Sequence, residues 1–330
     1  MQDVIEIDTR IATMKSWLKN TLESDNFELS IASSDASFRR YFRIHYKTQS
    51  FIVMDAPPEH EDISSFISIA EFLASQGVNV PVIHAKDITQ GFLLLTDFGS
   101  TSFLSAVSID TANSLYKLAI DELLTMQCAT QNQVALPIYD DKKLFDEMSL
   151  FSSWFLEKHL GLTSPVCVNE SIDFILSETR QQPHYFVHRD YHSRNLMVCE
   201  DKLGIIDFQD AVIGPVSYDL VSLLKDCYIK WPVERVDEWK NYYKSRAISL
   251  DLLSENDERQ FDRWFDIMGL QRHLKVLGIF CRLHYRDGKS NYLNDLPLTL
   301  HYVLQATKRY EELEPLHHFL INTKEVMAIQ

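Results

Sequence analysis

A chain of 330 residues, 45% of them hydrophobic and 24% charged, can bury a full core in two lobes, and its formal charge of −15 disfavours nucleic acid as the main partner. No apolar run approaches the ~20 residues of a membrane span, and the Met-Gln-Asp-Val-Ile-Glu-Ile-Asp start lacks the basic region and apolar core of a signal peptide, so a cytoplasmic protein with no membrane partner is expected. Five scattered cysteines without Cys-x-x-Cys read as reduced thiols, and twelve histidines without His-Glu-x-x-His do not indicate zinc.

Phe27 to Ala32, Arg40 to Tyr46 and Ser50 to Met54 read as strands, and Asp62 to Gln76 as an amphipathic helix with Ile63, Phe66, Ile67, Ala70, Leu73 and Ala74 on one face. The turn from Ser33 to Phe38 is rich in small side chains, so backbone amides around Ser34 can approach a phosphate. Arg39, Arg40 and Arg43 follow. Strand alternation puts Arg39, Tyr41 and Arg43 on one side and Arg40 on the other, so a pair of guanidinium groups can meet an anion, unless these are solvated hairpin charges. Gly91 to Thr96 is an apolar strand ending in Asp97-Phe98-Gly99. We place a lobe boundary there: 1–99 forms a small lobe and 100–330 a large one. In the large lobe Asp110 to Cys128, Asp141 to Leu160, Val168 to Arg180, Tyr218 to Tyr228, Val233 to Leu250, Asn256 to Cys281 and Leu298 to Leu313 read as helices.

Phe186-Val187-His188-Arg189-Asp190 enters a polar loop that ends at Asn195, and Leu196 to Cys199 and Leu203 to Ile206 form a hairpin that delivers Asp207. Folded about Asp201, the hairpin sets Asn195 opposite Asp207. A facing amide and carboxylate suit magnesium, which takes few protein oxygens and fills its shell with water and phosphate. Asp190 then lies across the loop, where it can accept a proton from an attacking hydroxyl. Asp and Asn also recur in turns for local hydrogen-bonding reasons, but here four polar residues arrive in order with apolar strands between them. His188 is expected to brace the loop, and Asp219 to be structural at the start of a helix. Arg194 and Gln209 flank the metal pair and are candidates for substrate or phosphate contacts.

From Gln271 to Lys289 the chain carries Arg272, Lys275, Arg282, Arg286 and Lys289 against the single acid Asp287. Arg272 and Arg286 are candidates to pair with a substrate carboxylate, the alternative being a solvated helix face.

The His188 to Asn195 loop with Asp207 resembles the aminoglycoside phosphotransferase and choline kinase family of the protein-kinase-like fold. It carries His192 where protein kinases have Lys, and departs from the family's usual Gly at Arg189. The resemblance implies an α+β bilobal fold with a small antiparallel-sheet N-lobe and a larger, mainly helical C-lobe. It also implies ATP and Mg2+ as cofactors. Asp190 would be the catalytic base, Asn195 and Asp207 the metal ligands, Ser34 and Arg43 phosphate contacts, and the main chain of Thr96 and Phe98, at a hinge over 96–99, the adenine contacts. Met54 stands where the family's phosphate-binding Lys is expected. The segments Ser34 to Arg43, Val53 to Pro58, Gly77 to Pro81, Leu93 to Gly99 and Gly269 to Phe280 further resemble the anomeric N-acetylmuramate/N-acetylglucosamine kinases of bacterial cell-wall recycling, over about Ser33 to Tyr302. That resemblance implies phosphorylation of a sugar C1 hydroxyl. Another small-molecule kinase, acting on an aminoglycoside, choline or homoserine, and a binding-only pseudokinase are the alternatives.

Overall fold

A computed structural model describes residues 2–34, 38–129 and 134–329, without the side chains of residues 2–8, 33 and 34. The small lobe opens with helix α1 (Gln2–Leu22), which the periodicity did not flag, followed by β1 (Glu28–Ser34), β2 (Arg40–Tyr46), β3 (Gln49–Asp55), α2 (Ser64–Ser75), β4 (Ile83–Asp87) and β5 (Phe92–Thr96). The strands form one antiparallel sheet in the order β1-β2-β3-β5-β4. Side-chain alternation divides its apolar residues between two cores. Phe42, Ile44, Val53, Phe92 and Leu94 pack under Met14 and Leu18 of α1, whereas Met54, Leu93 and Leu95 face the core of α2. Burial on both faces is why β5 reads as an unbroken apolar run.

The large lobe contains α3 (Phe103–Ala106), α4 (Ala112–Cys128), α5 (Asp141–Leu150), α6 (Val166–Thr179), the paired strands β6 (His184–Val187) and β9 (Val212–Pro215), and the hairpin of β7 (Leu196–Cys199) with β8 (Lys202–Ile205). Helices α7 (Tyr218–Leu224), α8 (Val233–Ser249), α9 (Glu255–Asp287), α10 (Leu296–Arg309), α11 (Glu314–Asn322) and α12 (Lys324–Met327) complete it. The helix expected over Asp141 to Leu160 is α-helical only to Leu150 and continues as a π-helical segment, Phe151–His159. Helix α9 outruns its expected end at Cys281. A capping box of Ser254 and Asp257 starts it, and Gly288, at φ 69°, ends it in the left-handed conformation that satisfies the last carbonyls. Residues Phe261 to Gly278 of α9 are mostly buried, and Gly278 lets α5 approach so closely that a Cβ there would lie 2.3 Å from the Leu150 carbonyl carbon.

A backbone bond joins the lobes at the β7–β8 hairpin, where Ile205 N–H donates to Asn79 O at 2.9 Å; just past the boundary, Val198 N–H donates to Thr101 O at 2.8 Å. Phe98 lies flat on β8, where a Cβ on Gly204 would fall 2.4 Å from its ring.

Candidate active site

Each arginine of the β1–β2 hairpin has an acidic partner. Arg40 pairs with Asp55, the carboxylate that Arg10 of α1 also grips from the other side with its Nε at 2.8 Å. The Asp55 side chain is fully buried. Arg43 holds Asp97 with two bonds, 2.7 and 2.9 Å, and donates to Gly99 O at 2.8 Å. Arg39 meets Glu61 at 2.8 Å. Arg43 therefore ties β2 to the strand exit at Asp97, and Asp97 holds its guanidinium charge above the ordinary range although burial opposes it. Met54, opposite Tyr41, is fully buried in the core, so that position presents no cation to the cleft.

Ser34 ends β1 opposite Arg40, and its side chain lies outside the described residues, as do residues 35–37. The Thr96 N–H donates to Val82 O at 3.0 Å, and its hydroxyl accepts from Val82 N–H at 3.2 Å. The Phe98 carbonyl faces the Cys199 thiol at 3.7 Å.

On the far side of the cleft, the polar loop is suspended from one carboxylate. Asp219, at the start of α7, accepts from His188 N–H at 2.6 Å and Arg189 N–H at 3.0 Å. These consecutive donors fix the bend, in which Arg189 adopts φ 76°, a left-handed conformation that glycine tolerates and arginine does not favour. Glu147 of α5 holds the displaced guanidinium at 2.5 Å. His188 is fully buried, with Nε2 at 3.0 Å from Ile206 O and Nδ1 accepting from Asp190 N–H at 3.3 Å. Burial pushes its imidazole down to about 4, so the ring is neutral at pH 7 with its proton on Nε2.

The hairpin does bring Asn195 and Asp207 together: Asn195 Nδ2 is 3.1 Å from Asp207 Oδ2 and also donates to Asp190 O at 3.0 Å. Asp207 sits at φ 67°, turned off the hairpin end. Gln209 Nε2 donates to Asp207 Oδ1 at 2.7 Å, while its own Oε1 is buried without a hydrogen-bond partner. One carboxylate and two amide side chains, one of them with an orphaned carbonyl oxygen, form a corner that suits a hard cation. Asp190 is half-buried beside it. Burial raises its carboxyl, but Lys275, His192, Arg272 and Arg189 outweigh that and hold it below the usual carboxylate range, ionised at neutral pH.

Helix α9 supplies the wall behind Asp190. Lys275 is buried, ion-paired to Glu147 at 3.2 Å and donating to the Tyr218 hydroxyl at 3.2 Å. Arg272 is only 4% exposed, and among the described residues no acid lies within ion-pair distance of it; its Nε has no hydrogen-bond partner. Burial works against its charge, yet Cys227, Tyr218, Asp190 and Asp226 keep it protonated. Arg194 projects from the loop and stacks on Tyr228 at 3.6 Å, with Asp295 3.9 Å away. Arg286 stands apart: it is exposed and pairs with its neighbour Asp287 at 2.8 Å, about 21 Å along the helix from Arg272 at 1.5 Å per residue. Sequence alone gives no sign of Glu147, because an acid on an ordinary amphipathic helix does not reveal that Tyr139, Arg189 and Lys275 converge on it.

The model of the phosphotransferase enzyme family (APH) matches residues 28–258. The chain is 41% identical over 325 residues to an N-acetylmuramate/N-acetylglucosamine kinase of Pseudomonas putida, covering 94% of this chain and 96% of that one. It is 40% identical to a protein of the same name from Neisseria meningitidis, covering 93% and 94%. Among solved structures, a choline kinase from Streptococcus pneumoniae superposes with a TM-score of 0.65 at 12% identity, over 89% of this chain and 99% of that one. An ethanolamine kinase from Plasmodium vivax does so with a TM-score of 0.63 at 12% identity, over 84% and 82%. The two-lobed fold is thus that of these kinases, and the chain belongs to the phosphotransferase enzyme family.

Proposed function

We propose that the protein is an ATP- and magnesium-dependent kinase that phosphorylates the anomeric C1 hydroxyl of N-acetylmuramate, N-acetylglucosamine or both. Nucleotide would enter between residues 1–99 and 100–330, with the main chain of Thr96 and Phe98 at adenine and that of Ser34 toward the phosphates, Arg43 being held by Asp97 instead. Asn195 and Asp207 would hold magnesium, which when bound neutralises phosphate charge. Asp190, ionised and hydrogen-bonded into a fixed loop, takes the proton of the attacking hydroxyl. Arg194 and Gln209 line the approach of the sugar.

One observation carries the acceptor assignment: Arg272 is a buried guanidinium without an acid partner, on the Asp190 side of α9. A buried cation left unpaired costs several kcal/mol, on the order of 3–5, which an anionic ligand offsets. The lactyl carboxylate of N-acetylmuramate supplies that anion, whereas aminoglycosides and choline bring positive charge to a wall already holding Arg189, Arg272 and Lys275. Arg286, exposed and facing Asp287, would act at the entrance instead. The test is ADP release with N-acetylmuramate, N-acetylglucosamine and kanamycin in turn, with the product's phosphate position read by phosphorus NMR. Release with either amino sugar and a C1 phosphate are expected; release with kanamycin alone would overturn the assignment.

A further inference from the structure

Three cations surround Asp190 without closing on it. Arg189 is its chain neighbour, Lys275 and Arg272 come from α9, and all three act on its carboxyl through their charge. Among the described residues, however, the hydrogen bonds of Asp190 are made by its main chain: its N–H donates to His188 Nδ1 at 3.3 Å, and its carbonyl accepts from Asn195 Nδ2 and His192 N–H, each at 3.0 Å. The carboxylate itself is half-buried, and the ion pairs of Arg189 and Lys275 are made elsewhere.

They are made to Glu147 of α5. One oxygen of Glu147 accepts from Arg189 Nη2 at 2.5 Å, and the other is ion-paired to Lys275 at 3.2 Å and accepts from the Tyr139 hydroxyl. Arg189 Nη1 is drawn the same way, to Asp210 O at 3.4 Å, and Lys275 makes its second bond to the Tyr218 hydroxyl at 3.2 Å. The three ionic side chains are nearly buried, 12% exposed for Glu147, 14% for Arg189 and 8% for Lys275. Burial raises the Glu147 carboxyl, but Lys275, Arg189 and Tyr139 outweigh it and hold the group below the usual range. Without that charge, two buried cations would lose their counter-ion, and for each of them Asp190 is the carboxylate that ranks next after Glu147 in charge interaction. A base whose oxygens are occupied by guanidinium or ammonium donors is closed to the hydroxyl it must bond.

We propose that Glu147 is a positioning residue for phosphoryl transfer: by engaging Arg189 and Lys275 together, it keeps the Asp190 carboxylate out of an ion pair and open to the attacking hydroxyl. The role rests on the kinase reading, in which Asp190 is the base, and adds to it a residue from outside the catalytic loop.

The experiment measures ADP release by the full chain with N-acetylmuramate and with N-acetylglucosamine. Glu147→Gln should lower kcat about thirtyfold on both sugars, with KM for sugar and for ATP changing less than about threefold, short of the 10²–10⁴-fold that loss of a base costs. Glu147→Asp, which keeps the charge, should recover part of that loss. In an Arg189→Gly background Glu147→Gln should cost less than about fivefold, because one of the two displaced cations is gone and glycine suits the bend at φ 76°. The same loss in both backgrounds would make Glu147 a support of the fold only, and a raised KM with kcat intact would make it a binding residue; either overturns the proposal. Should Glu147→Gln not fold, the comparison moves to Glu147→Leu combined with Lys275→Met, which replaces the acid and one cation by apolar side chains of similar volume. Adding Arg189→Gly to that pair should raise kcat at least about fivefold, and no rise would overturn the proposal. Wild-type turnover with any of these failures leaves the kinase reading standing, whereas wild type inactive on both sugars would overturn both.

Discussion

The arginines of the small lobe and those of α9 are the same side chain in opposite circumstances. Arg10, Arg40 and Arg43 close on Asp55 and Asp97, carboxylates whose side chains are almost wholly buried, and the groups neutralise one another. Arg272 and Arg282 are buried or half-buried with donors left over. Residue type alone therefore does not separate these two kinds of arginine; the presence of a resident acid does. An exposed cation without a carboxylate beside it is ordinary, but a fully buried one, as Arg272 is, requires explanation.

The largest expected effect lies at Asp190, the carboxyl that Lys275 and Arg272 of α9 help to hold ionised. Asp190→Asn should lower kcat by about 10²–10⁴-fold while calorimetric sugar affinity changes little, since the carboxylate acts as the proton leaves. Loss of sugar binding instead would make Asp190 a binding residue. On the paired side, Asp55→Ala leaves two guanidinium groups facing a vacated carboxylate position and should cost about 3 kcal/mol in urea unfolding, the low end for breaking a buried ion pair because both arginines remain partly exposed. A shift below about 0.5 kcal/mol would show the clamp to be ornamental.

His188 gives a pH-dependent version of the same test. Its imidazole is held down to about 4 in the fold against 6.5 free, so between those values the unfolded chain binds the extra proton. Its contribution is thus present above pH 6.5 and is lost as pH falls toward 4, a change on the order of 3 kcal/mol. Acid unfolding of His188→Gln, which keeps a hydrogen-bonding side chain without the titration, should lack that slope. The smallest effect belongs to the unpaired side: Arg272→Met should leave stability unchanged or slightly higher, and raise KM for N-acetylmuramate about tenfold with little change for N-acetylglucosamine. Destabilisation by Arg272→Met, with equal effects on both sugars, would erase the distinction drawn between the two regions.

What was legible in the sequence follows contact range. The loop from His188 to Asn195 and the hairpin to Asp207 are local, so two short strands about a polar turn suffice to bring Asn195 to Asp207, although the turn centres between Glu200 and Asp201 and the backbone of Asn195 meets Ile206. Strands β2 and β3 were placed within a residue or so, and α9 to within six residues of its end. Helix α1 was missed because its apolar face is sparse, covering one side of the sheet with little more than Met14 and Leu18. Strand β4 was missed because it is an edge strand with a half-buried pattern. The identities of Arg39, Arg40 and Arg43 were plain, but their partners were not: Asp97 lies 54 residues from Arg43, and no spacing rule links them. The same limit hid Glu147, whose role depends on α5 lying beside α9.

Helix α9 is continuous from its capping box to Gly288, and its middle is locked into the core by residues such as Leu274 and Leu277. A rod of that kind behaves as a ruler. The separations between its successive cations are set by helical rise, about 5.4 Å per turn, so the charges along it keep their spacing whatever the loops around them do.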